Sequence, residues 1–512
     1  MSELSNANKL LLRLDYMLAK QAVPGYRQAE TERSDPAADP RAEQFQVEDR
    51  ARKEEAKENP DKKVRTKIYE LVHRGGRTFE RARTAWVNPK VAEQLEQRKR
   101  ASDWIRMLGN YLPIYFVGGY VRDKFFKKVS KDIDLVALVS LDEAKKVLQQ
   151  INIEFTEKQN SHSRLQFEVG GMKVDLISTT PDDLLNNLRN RDFTINAVAQ
   201  SVTGQFYDPT RGMEDIKQKW LRSPNNDSAK SFKEDPARIL RGARFLADFP
   251  VKAHPSVLKG LKANAEALSN LKKRRIGFEL VKIMQTEKSW LALQFLMDHG
   301  QLKFISNDLA EMEETKQRGK THKQTNVWKH TIAALKNAES TDAIVNLAIL
   351  FHDVGKNKTG TDNNTHFPGH DKTGAQITTS VLTELVLPKD TVNRVSNIVE
   401  NHLFMSKVGP KGDEVEYKKL ALTLKGDIER FFKVSEADAK DHKEYDPKWL
   451  EIAKKRMAKI KSSKPEKAGE EDTDELKKSQ QYLVDESIEI LLSHESGLVY
   501  VDEMLDAVGV DG

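Results

Sequence analysis

The chain has 512 residues, of which 32% are charged and 38% are hydrophobic, and its mean hydropathy is -0.64. This length exceeds one ordinary hydrophobic core, so several domains are expected, and the apolar fraction is too high for a chain disordered throughout. The absence of cysteine excludes disulfides, zinc–thiolate sites and thiol nucleophiles, so any metal must be held by oxygen or imidazole. The formal net charge of +6 is compatible with a polyanionic partner but does not establish one.

The beginning of the chain, MSELSNANKLLLRLDYMLAK, has too short an apolar run and too many charges for a signal peptide. No apolar stretch of membrane-spanning length is seen elsewhere. We therefore expect a cytoplasmic protein with no membrane partner. Residues 1–100 are predicted to be a charged, partly helical N-terminal extension, with a short amphipathic helix first, a polar stretch from Gln28 to Lys63 and then basic helical segments.

The sequence pattern changes from Ile114 onward. Four apolar or alternating runs, YFVGGYV, DIDLVALV, LQFEV and KVDLIS, are separated by helical segments such as Leu141 to Ile151. This pattern predicts a mixed α/β domain over residues 101–222, which carries the only sheet expected. Apolar residues at helical spacing predict a helical region at 223–310 and another helical domain at 326–443. The charged stretch from Glu311 to Lys323 is expected to join two helical units, and residues 444–512 to form a charged connector and C-terminal helices.

A dense group of polar residues and glycines begins the α/β domain. Asp132 and Asp134 flank Ile133 in a predicted strand, so their carboxylates project from one face. Such a pair suits magnesium ions that also bind triphosphate oxygens. In the preceding FVGGYVRD segment, Gly118 and Gly119 permit close approach of a phosphate, and Arg122 could contact it through two hydrogen bonds.

Each of these pieces has an ordinary structural explanation when taken alone. A Gly-Gly pair is commonly a turn, and an Asp-x-Asp sequence is commonly a solvated strand edge. Their order on an expected strand–turn–strand pattern favours nucleotidyl transfer. Asp175, on a later strand, is a candidate third carboxylate that would orient the attacking hydroxyl, although a structural, salt-bridged Asp is nearly as compatible with the pattern.

From Phe116 to Met284 the chain resembles the class II branch of the DNA polymerase β nucleotidyltransferase superfamily, which comprises bacterial tRNA CCA-adding enzymes and poly(A) polymerases. The resemblance rests on five motifs in family order: GGYVRD with DID, then RDFTINA, YDPTRGMED, EDPARILRGARF and RRIGFEL. It implies an α/β nucleotidyltransferase head with a DNA polymerase β-like palm, followed by an all-α neck and body. Asn190 stands where the family commonly has Arg, and the long stretch ahead of the first motif is unusual for the family.

The resemblance also implies roles for individual residues. Asp132 and Asp134 would hold magnesium, Gly119 and Arg122 would touch the nucleotide, and Arg191 would contact its sugar or phosphate. Asp235 and Arg238 would read the Watson–Crick edge of the incoming base, with Arg241 assisting. A carboxylate and a guanidinium about one helical turn apart offer acceptors and donors complementary to C or A without a template.

A second cluster combines histidine and aspartate: WKH, LFHDVGK, HFPGHD, ENH and SEAD. A single histidine on an apolar helix is usually a core residue, but an adjacent His-Asp pair after an apolar run is typical of a hydrolytic metal site. From Asn326 to Asp441 the pattern resembles the HD phosphohydrolase domain of multifunctional bacterial CCA-adding proteins. This resemblance implies the metal ligands His330, His352, Asp353 and Asp438, with Lys356, His370 and His402 lining a phosphate pocket or serving a second metal.

The two resemblances together predict an enzyme that adds C and A to tRNA or other RNA 3′ ends from CTP and ATP, with an attached phosphohydrolase that removes groups such as 2′,3′-cyclic phosphates. The implied cofactors are Mg²⁺ at the head and a divalent transition metal, Ni, Mn or Co, at the HD site. No DNA partner is expected and no oligomeric state is assigned. The alternatives are a poly(A) polymerase, a hydrolase with a vestigial head, and an inactive RNA-binding scaffold.

Overall fold

The computed structural model describes residues 64–74, 77–87, 89–130, 132–158, 163–317, 324, 326–360, 366–442 and 446–462. The amphipathic helix predicted at the start of the chain and the helices predicted at its end lie outside these residues. The chain divides into two compact units, one ending at Asn226 and the next beginning at Asp227. In the described part of the chain, no helix combines the length and the apolar character needed to cross a membrane.

The first unit contains ten strands and five helices within its described residues. The strands are β1 Val64–Arg74, β2 Arg77–Val87, β3 Ile114–Val117, β4 Asp132–Ala137, β5 Thr156–Lys158, β6 Arg164–Val169, β7 Met172–Ser178, β8 Ala199–Ser201, β9 Phe206–Tyr207 and β10 Trp220–Leu221. The helices are α1 Pro89–Leu108, α2 Gly118–Phe126, α3 Leu141–Gln150, α4 Pro181–Arg189 and α5 Gly212–Gln218, with short 3-10 turns at Thr194–Asn196 and Pro224–Asn226.

Seven strands form the main sheet in the order β5-β6-β7-β4-β3-β8-β9. β4 and β7 are parallel, whereas the other neighbouring pairs are antiparallel. Apolar side chains such as Phe116, Leu135 and Leu176 are buried in the core of this unit. The predicted mixed α/β head is therefore confirmed, and the apolar runs of the sequence coincide with β3, β4, β6 and β7.

The segment before the head differs from the prediction in two ways. Residues predicted as basic helix form an antiparallel hairpin of β1 and β2, with Val64 opposite Val87. Helix α1 then continues past the expected domain boundary at residue 100, because Ala101, Ile105 and Leu108 are buried in the core of the head. The second half of the helix, from Ala101 on, thus packs into the head.

The second unit is helical. Its helices are α6 Ser228–Glu234, α7 Ala237–Asp248, α8 Pro255–Ala263, α9 Lys273–Met284, α10 Ser289–Asp298, α11 Asn307–Glu311, α12 Val327–Ala338, α13 Ala343–Phe351, α14 Lys356–Thr359, α15 His370–Glu384, α16 Lys389–Asn401, α17 Phe404–Lys407, α18 Glu414–Leu424, α19 Ile428–Ala439 and α20 Pro447–Ser462. A short strand, β11 Lys252–Ala253, and 3-10 turns at Ala267–Asn270, Leu302–Phe304, Gly409–Lys411 and Lys425–Asp427 complete it.

The helices on the two sides of the charged stretch 311–323 pack against each other. Trp328 in α12 is 1% exposed, and its indole nitrogen donates to Gln294 Oε1 in α10 at 3.1 Å. Asn346 in α13 donates to the Met284 carbonyl at 2.6 Å. The charged stretch therefore connects neck and HD helices that pack against each other, and their division into two helical domains stays a prediction.

Candidate active sites

The first candidate site lies on neighbouring parallel strands of the head. In β4, Asp132 and Asp134 are half-buried on the two sides of the buried Ile133, as predicted for carboxylates that share a face. Asp175 in β7 is the register partner of Asp134, and register partners on adjacent strands project from the same face. The three carboxylates therefore lie on one face of the sheet.

Asp175 has an environment suited to a ligand or a proton acceptor. Its Oδ1 atom is buried and has no hydrogen-bond partner among the described residues. Arg164 Nε lies 3.9 Å away, at the limit of an ion pair. A buried carboxylate oxygen that lacks a hydrogen bond is costly, so a cation or a donated hydroxyl proton at this atom would stabilise it.

The glycine pair opens a helix, not the turn that was expected, so the motif is strand–helix–strand. α2 begins at Gly118, directly after β3, and Gly118 has φ +66. A Cβ atom on Gly118 would lie 2.8 Å from Asp134 Oδ2 and 2.9 Å from Arg191 Nη1. Glycine is thus required both by the left-handed backbone and by the close approach of two site side chains. Gly119 is half-buried in the first turn of the helix.

Arg122 lies in an interior network. It is 8% exposed, donates to Asn196 Oδ1 at 2.8 Å and pairs with the Asp123 carboxylate at 2.8 Å. Asn196 in turn donates to Asp192 Oδ1 at 2.9 Å. Arg122 thereby connects α2 to the RDFTINA segment through hydrogen bonds. Its predicted contact with the nucleotide remains a prediction.

The residues predicted to read the base lie in the second unit. Asp235 follows α6, and its Oδ1 accepts from the Ala237 backbone at 3.1 Å and from Arg275 Nη2 at 3.0 Å. Arg238 donates to Ser231 Oγ at 2.8 Å. Arg241 lies 3.8 Å from the buried carboxylate of Glu279. Arg275 received no role from the sequence, although it stands in the RRIGFEL motif and holds the Asp235 carboxylate.

The second candidate site is a buried imidazole–carboxylate cluster that brings together all four predicted ligands. His330 lies in α12, His352 and Asp353 follow α13, and Asp438 lies in α19. His330 Nε2 is 2.9 Å from Asp438 Oδ1 and 3.2 Å from His352 Nε2. His352 Nε2 is 3.3 Å from Asp353 Oδ2. Within the described residues, the ligand atoms of His330, His352 and Asp353 all lie within 4.8 Å of one another.

The predicted phosphate-pocket residues surround the same aspartate. His370 Nε2 and His402 Nε2 lie 3.4 and 3.7 Å from Asp353 Oδ1, and Lys356 Nζ lies 2.6 Å from Asp353 Oδ2. Gln317, which the sequence analysis did not single out, accepts from Lys356 Nζ at 3.2 Å. Asp353 thus contacts every residue predicted for the pocket.

The outer ring nitrogens determine the tautomers of these histidines. Nδ1 of His352, His370 and His402 lies 2.7, 2.7 and 2.6 Å from backbone carbonyl oxygens. Because a carbonyl can only accept, Nδ1 carries the hydrogen, and in the neutral ring the lone pair is on Nε2. The Nε2 atoms that face Asp353 are therefore available as metal donors.

The cluster holds more carboxylates than lysine ammonium groups. Asp353, Asp438 and Asp441 are buried or half-buried, and of the three only Asp353 pairs with the buried Lys356. Mixed imidazole and carboxylate donors without thiolate fit a first-row divalent cation, and two positive charges would offset this excess. The carboxylate-only donor set on β4 and β7 fits the harder Mg²⁺.

The pKa values of the cluster residues are shifted both by burial and by the charges of their neighbours. Burial opposes ionisation of Asp353, but the charges of Lys356 and His352 hold the pKa of Asp353 well below its usual value. Burial disfavours the charged form of His352, yet the Asp353 and Asp438 carboxylates raise its pKa to about 10. Burial lowers the pKa of His402. Burial also opposes ionisation of Asp438, but His330 and His352 stabilise its charge and hold its pKa well below its usual value. Asp353 and Asp438 therefore stay ionised at neutral pH and attract protons or a cation to the donor atoms around them.

Two cluster residues were missed by the sequence analysis. Asp441 Oδ2 accepts from His330 Nδ1 at 2.8 Å, and His442 Nε2 lies 3.4 Å from Asp438 Oδ1. Both follow Asp438 within one helical turn, and that proximity was the only signal available in the sequence. His366, by contrast, is exposed.

Comparison with family models identifies three matching regions. Residues 114–222 match the poly A polymerase head domain, residues 252–312 match the probable RNA and SrmB-binding site of polymerase A, and residues 327–425 match the HD domain. The first match spans the carboxylates of β4 and β7. The third contains every HD-site residue named above except Gln317, Asp438, Asp441 and His442.

Similar proteins were also found over a longer part of the chain. The multifunctional CCA protein of Pasteurella multocida is 30% identical over 302 residues, which are 54% of this chain and 70% of that protein. The corresponding protein of Psychromonas ingrahamii is 28% identical over 58% of this chain and 76% of its own length. Among solved structures, the Bacillus stearothermophilus CCA-adding enzyme in complex with CTP has a TM-score of 0.53 at 19% identity, covering 71% of this chain and 82% of that chain, which establishes likeness of fold.

Proposed function

This chain belongs to the family of the multifunctional CCA proteins, and from that premise we propose that it adds C and A residues to tRNA 3′ ends and hydrolyses phosphoesters at a second site. The observation that carries the first activity is the register pairing of Asp134 with Asp175, beside a glycine at which Asp134 and Arg191 approach the chain. The substrates are CTP, ATP and an RNA 3′ hydroxyl.

At the head, we propose that Asp132 and Asp134 hold Mg²⁺, because an all-carboxylate donor set suits this ion. When bound, Mg²⁺ neutralises charge on the triphosphate. Asp175 accepts the proton of the RNA 3′ hydroxyl, whose oxygen forms a bond to the α-phosphorus while the bond to the bridging oxygen breaks and pyrophosphate leaves. Arg191, whose guanidinium lies beside the same glycine as Asp134, offsets negative charge on the nucleotide.

For selection of the base, we propose Asp235 and Arg238, with Arg241 assisting. The Asp235 side chain is 30% exposed and that of Arg238 is 17% exposed, so neither is sealed in the core. A carboxylate and a guanidinium present acceptors and donors to a base edge. Arg275 at 3.0 Å restrains the Asp235 carboxylate, and a restrained side chain discriminates between bases better than a mobile one.

At the HD site, we propose that His330, His352, Asp353 and Asp438 hold Mn²⁺, Ni²⁺ or Co²⁺, and that the substrate is a 2′,3′-cyclic phosphate or a phosphate monoester. The bound ion supplies Lewis acidity. Lys356 offsets charge on the phosphate. His370 and His402, whose Nδ1 atoms donate to backbone carbonyls, line the phosphate pocket and offer their Nε2 lone pairs to a second metal ion. In the cyclic substrate, a water oxygen joins phosphorus, one ribose–oxygen bond to phosphorus breaks, and that oxygen takes a proton.

The decisive experiment incubates the purified protein with tRNA lacking its terminal CCA, and with CTP alone, ATP alone or both. We expect C residues to be added with CTP alone and the terminal A to appear only when both nucleotides are present. Repeated A addition with ATP alone would indicate a poly(A) polymerase instead. No addition under any condition would indicate an RNA-binding scaffold or, if phosphohydrolysis persists, a hydrolase with a vestigial head.

Replacement of a β4 carboxylate tests the head site. Asp132→Ala or Asp134→Ala should abolish nucleotide addition, because each variant loses one proposed magnesium ligand, while folding measured by circular dichroism is retained. Asp142→Ala is a matched control, since Asp142 is 84% exposed in the same unit. Addition within a few-fold of wild type in a folded Asp132 or Asp134 variant would refute the magnesium assignment.

A further inference from the structure

The two edges of the His330 ring contact different carboxylates. Nε2 lies 2.9 Å from Asp438 Oδ1, on the side where the proposed ligands converge. Nδ1 lies 2.8 Å from Asp441 Oδ2, on the opposite side. Asp438 belongs to α19, and the backbone of Asp441 donates to the Asp438 carbonyl at 3.0 Å, so one further turn of chain brings the second carboxylate to the ring.

Asp441 is a buried carboxylate that pairs with no Lys or Arg side chain among the described residues. It is 4% exposed, and within the described residues its one ion pair is with His330, with no Lys or Arg nitrogen within 4.0 Å. Its other oxygen has a long contact with Gln324, at 3.5 Å. A buried carboxylate without a cationic side chain is costly unless another positive group compensates it.

His330 also differs from the other three histidines that the sequence predicted for this site. Nδ1 of His352, His370 and His402 donates to backbone carbonyls, whereas Nδ1 of His330 donates to a carboxylate. A carboxylate acceptor fixes the same tautomer and also makes the opposite nitrogen a stronger donor to a metal. His330 is fully buried, so this pair is shielded from solvent.

We propose that Asp441 is a positioning residue for the metal site: it holds the His330 ring with Nδ1 protonated, directs the Nε2 lone pair into the cluster and strengthens it as a ligand. The inference rests on the proposed metal-dependent hydrolase function. Asp441 contacts neither the proposed ion nor the phosphate.

The test measures the affinity of the full-length protein for Co²⁺ by competition with a chelating dye, together with the visible absorption of bound Co²⁺. Asp441→Asn keeps the size of the side chain and an oxygen acceptor but removes the charge, and should weaken binding about 10-fold, whereas Asp441→Ala should approach 100-fold. Asp441→Glu should recover part of the affinity. The Co²⁺ absorption bands of the Asn variant should shift, because a weaker imidazole donor changes the ligand field.

Asp427→Asn is the matched control. Asp427 is also 4% exposed and lies in the same unit, but it pairs with Arg394 and Arg430. It should lose stability to heat while Co²⁺ affinity and absorption stay at wild-type values. Melting temperatures in chelator show whether each variant folds, and Asp441→Asn should melt close to wild type there while gaining less stability from added Co²⁺.

The outcomes separate the inference from the function on which it rests. Wild-type affinity and absorption in Asp441→Asn would overturn the positioning role while leaving the metal site intact. Equal loss of affinity in Asp441→Asn and Asp427→Asn would also overturn it, because a general loss of packing would then explain the effect. Wild-type protein that binds no Co²⁺, Mn²⁺ or Ni²⁺ would overturn the proposed metal site, and the inference with it.

Discussion

A single side chain can have both a local structural contact and a functional role, and Asp235 is such a case. Its Oδ1 accepts from the Ala237 backbone nitrogen near the start of α7, while the proposed role of the carboxylate is to read the base. An alanine variant would remove both functions. Asparagine keeps an oxygen for the backbone contact and replaces one acceptor by a donor, so it isolates the second function.

We therefore predict that Asp235→Asn lowers the preference for C and A over U and G more than it lowers turnover at saturating nucleotide. The measurement is kcat/KM for the four nucleoside triphosphates on tRNA lacking CCA. Asp227→Asn, in an exposed residue whose side chain caps α6, should leave the preference unchanged. Lost activity with unchanged preference would instead assign Asp235 a purely structural role.

The pH dependence of metal binding is set by individual residues of the HD site. Carboxylate charge raises the pKa of His352 to about 10, against the effect of burial, so at neutral pH this ring carries a proton that a metal must displace. Below a pH of about 10, affinity for a divalent ion should therefore increase as pH rises, by about tenfold per pH unit for one displaced proton.

Proton release measures this exchange directly. Addition of Mn²⁺ to weakly buffered protein at pH 7 should release at least one proton per ion, detected with an indicator dye. The control is His366→Ala, an exposed histidine that contributes no proton to the exchange. Metal affinity that stays constant between pH 6 and pH 8 would contradict displacement of a proton from His352.

At the scale of elements, the junction of β3 and α2 brings a strand end, a helix start and two charged side chains together. Gly118→Ala would put Cβ 2.8 Å from Asp134 Oδ2 in a backbone with φ +66. Either the carboxylate or the helix start must move, so nucleotide addition should fall by at least about 100-fold, since small displacements at a reacting centre are costly. Gly204→Ala is a control, because Gly204 also has positive φ (+96) but a Cβ would meet nothing within 4 Å.

Gly118→Ala and Gly204→Ala are compared by their melting temperatures and by their rates of nucleotide addition. Both variants place a Cβ on a left-handed backbone, so both should lose some stability. Only Gly118→Ala should lose the rate of addition. Equal activity of the two variants would mean that the space beside Asp134 is not needed for catalysis.

The sequence predicted the strands whose apolar pattern can be recognised within a few consecutive residues. The apolar runs around Asp134 and Asp175 coincide with β4 and β7, because strands buried in a sheet need continuous apolar residues. The hairpin of β1 and β2 was missed because Arg, Lys and Glu in its sequence favour helix, although the Gly75-Gly76 pair is typical of a two-residue hairpin turn.

Features that depend on contacts between distant residues could not be predicted. The packing of α12 against α10 depends on the contact of Trp328 with Gln294, and no periodicity encodes which helices become neighbours. Asp441 belongs to no motif, and its role emerges only because the fold brings it to His330, 111 residues away in sequence. The fold brings all four proposed metal ligands, His330, His352, Asp353 and Asp438, into one cluster, whereas their role as ligands remains a prediction.

At the scale of the whole molecule, the carboxylates proposed to hold magnesium and the imidazole cluster belong to different compact units and share no residue. The residues proposed to read the base, Asp235 and Arg238, lie in the unit that carries the HD helices. Removal of HD ligands should therefore leave addition intact only if this helical unit keeps its fold. His352 and Asp353 are 1% and 2% exposed, so their replacement leaves a cavity that has to be tolerated.

We predict that the His352→Ala, Asp353→Ala double variant loses hydrolysis of 2′,3′-cyclic nucleotides and keeps CCA addition, when both are assayed on one preparation. Metal removal tests the same independence without a cavity. Wild-type protein stripped with chelator and given Mg²⁺ should recover addition, while hydrolysis should return only with Mn²⁺, Ni²⁺ or Co²⁺, because the two donor sets prefer different ions.

Asp353→Asn, which conserves volume, serves as the control for the cavity and should match the double variant in both assays. Loss of addition in the double variant but not in Asp353→Asn would be caused by unfolding of the helical unit, whereas loss in both, or recovery of hydrolysis with Mg²⁺ alone, would mean that the two sites are not independent.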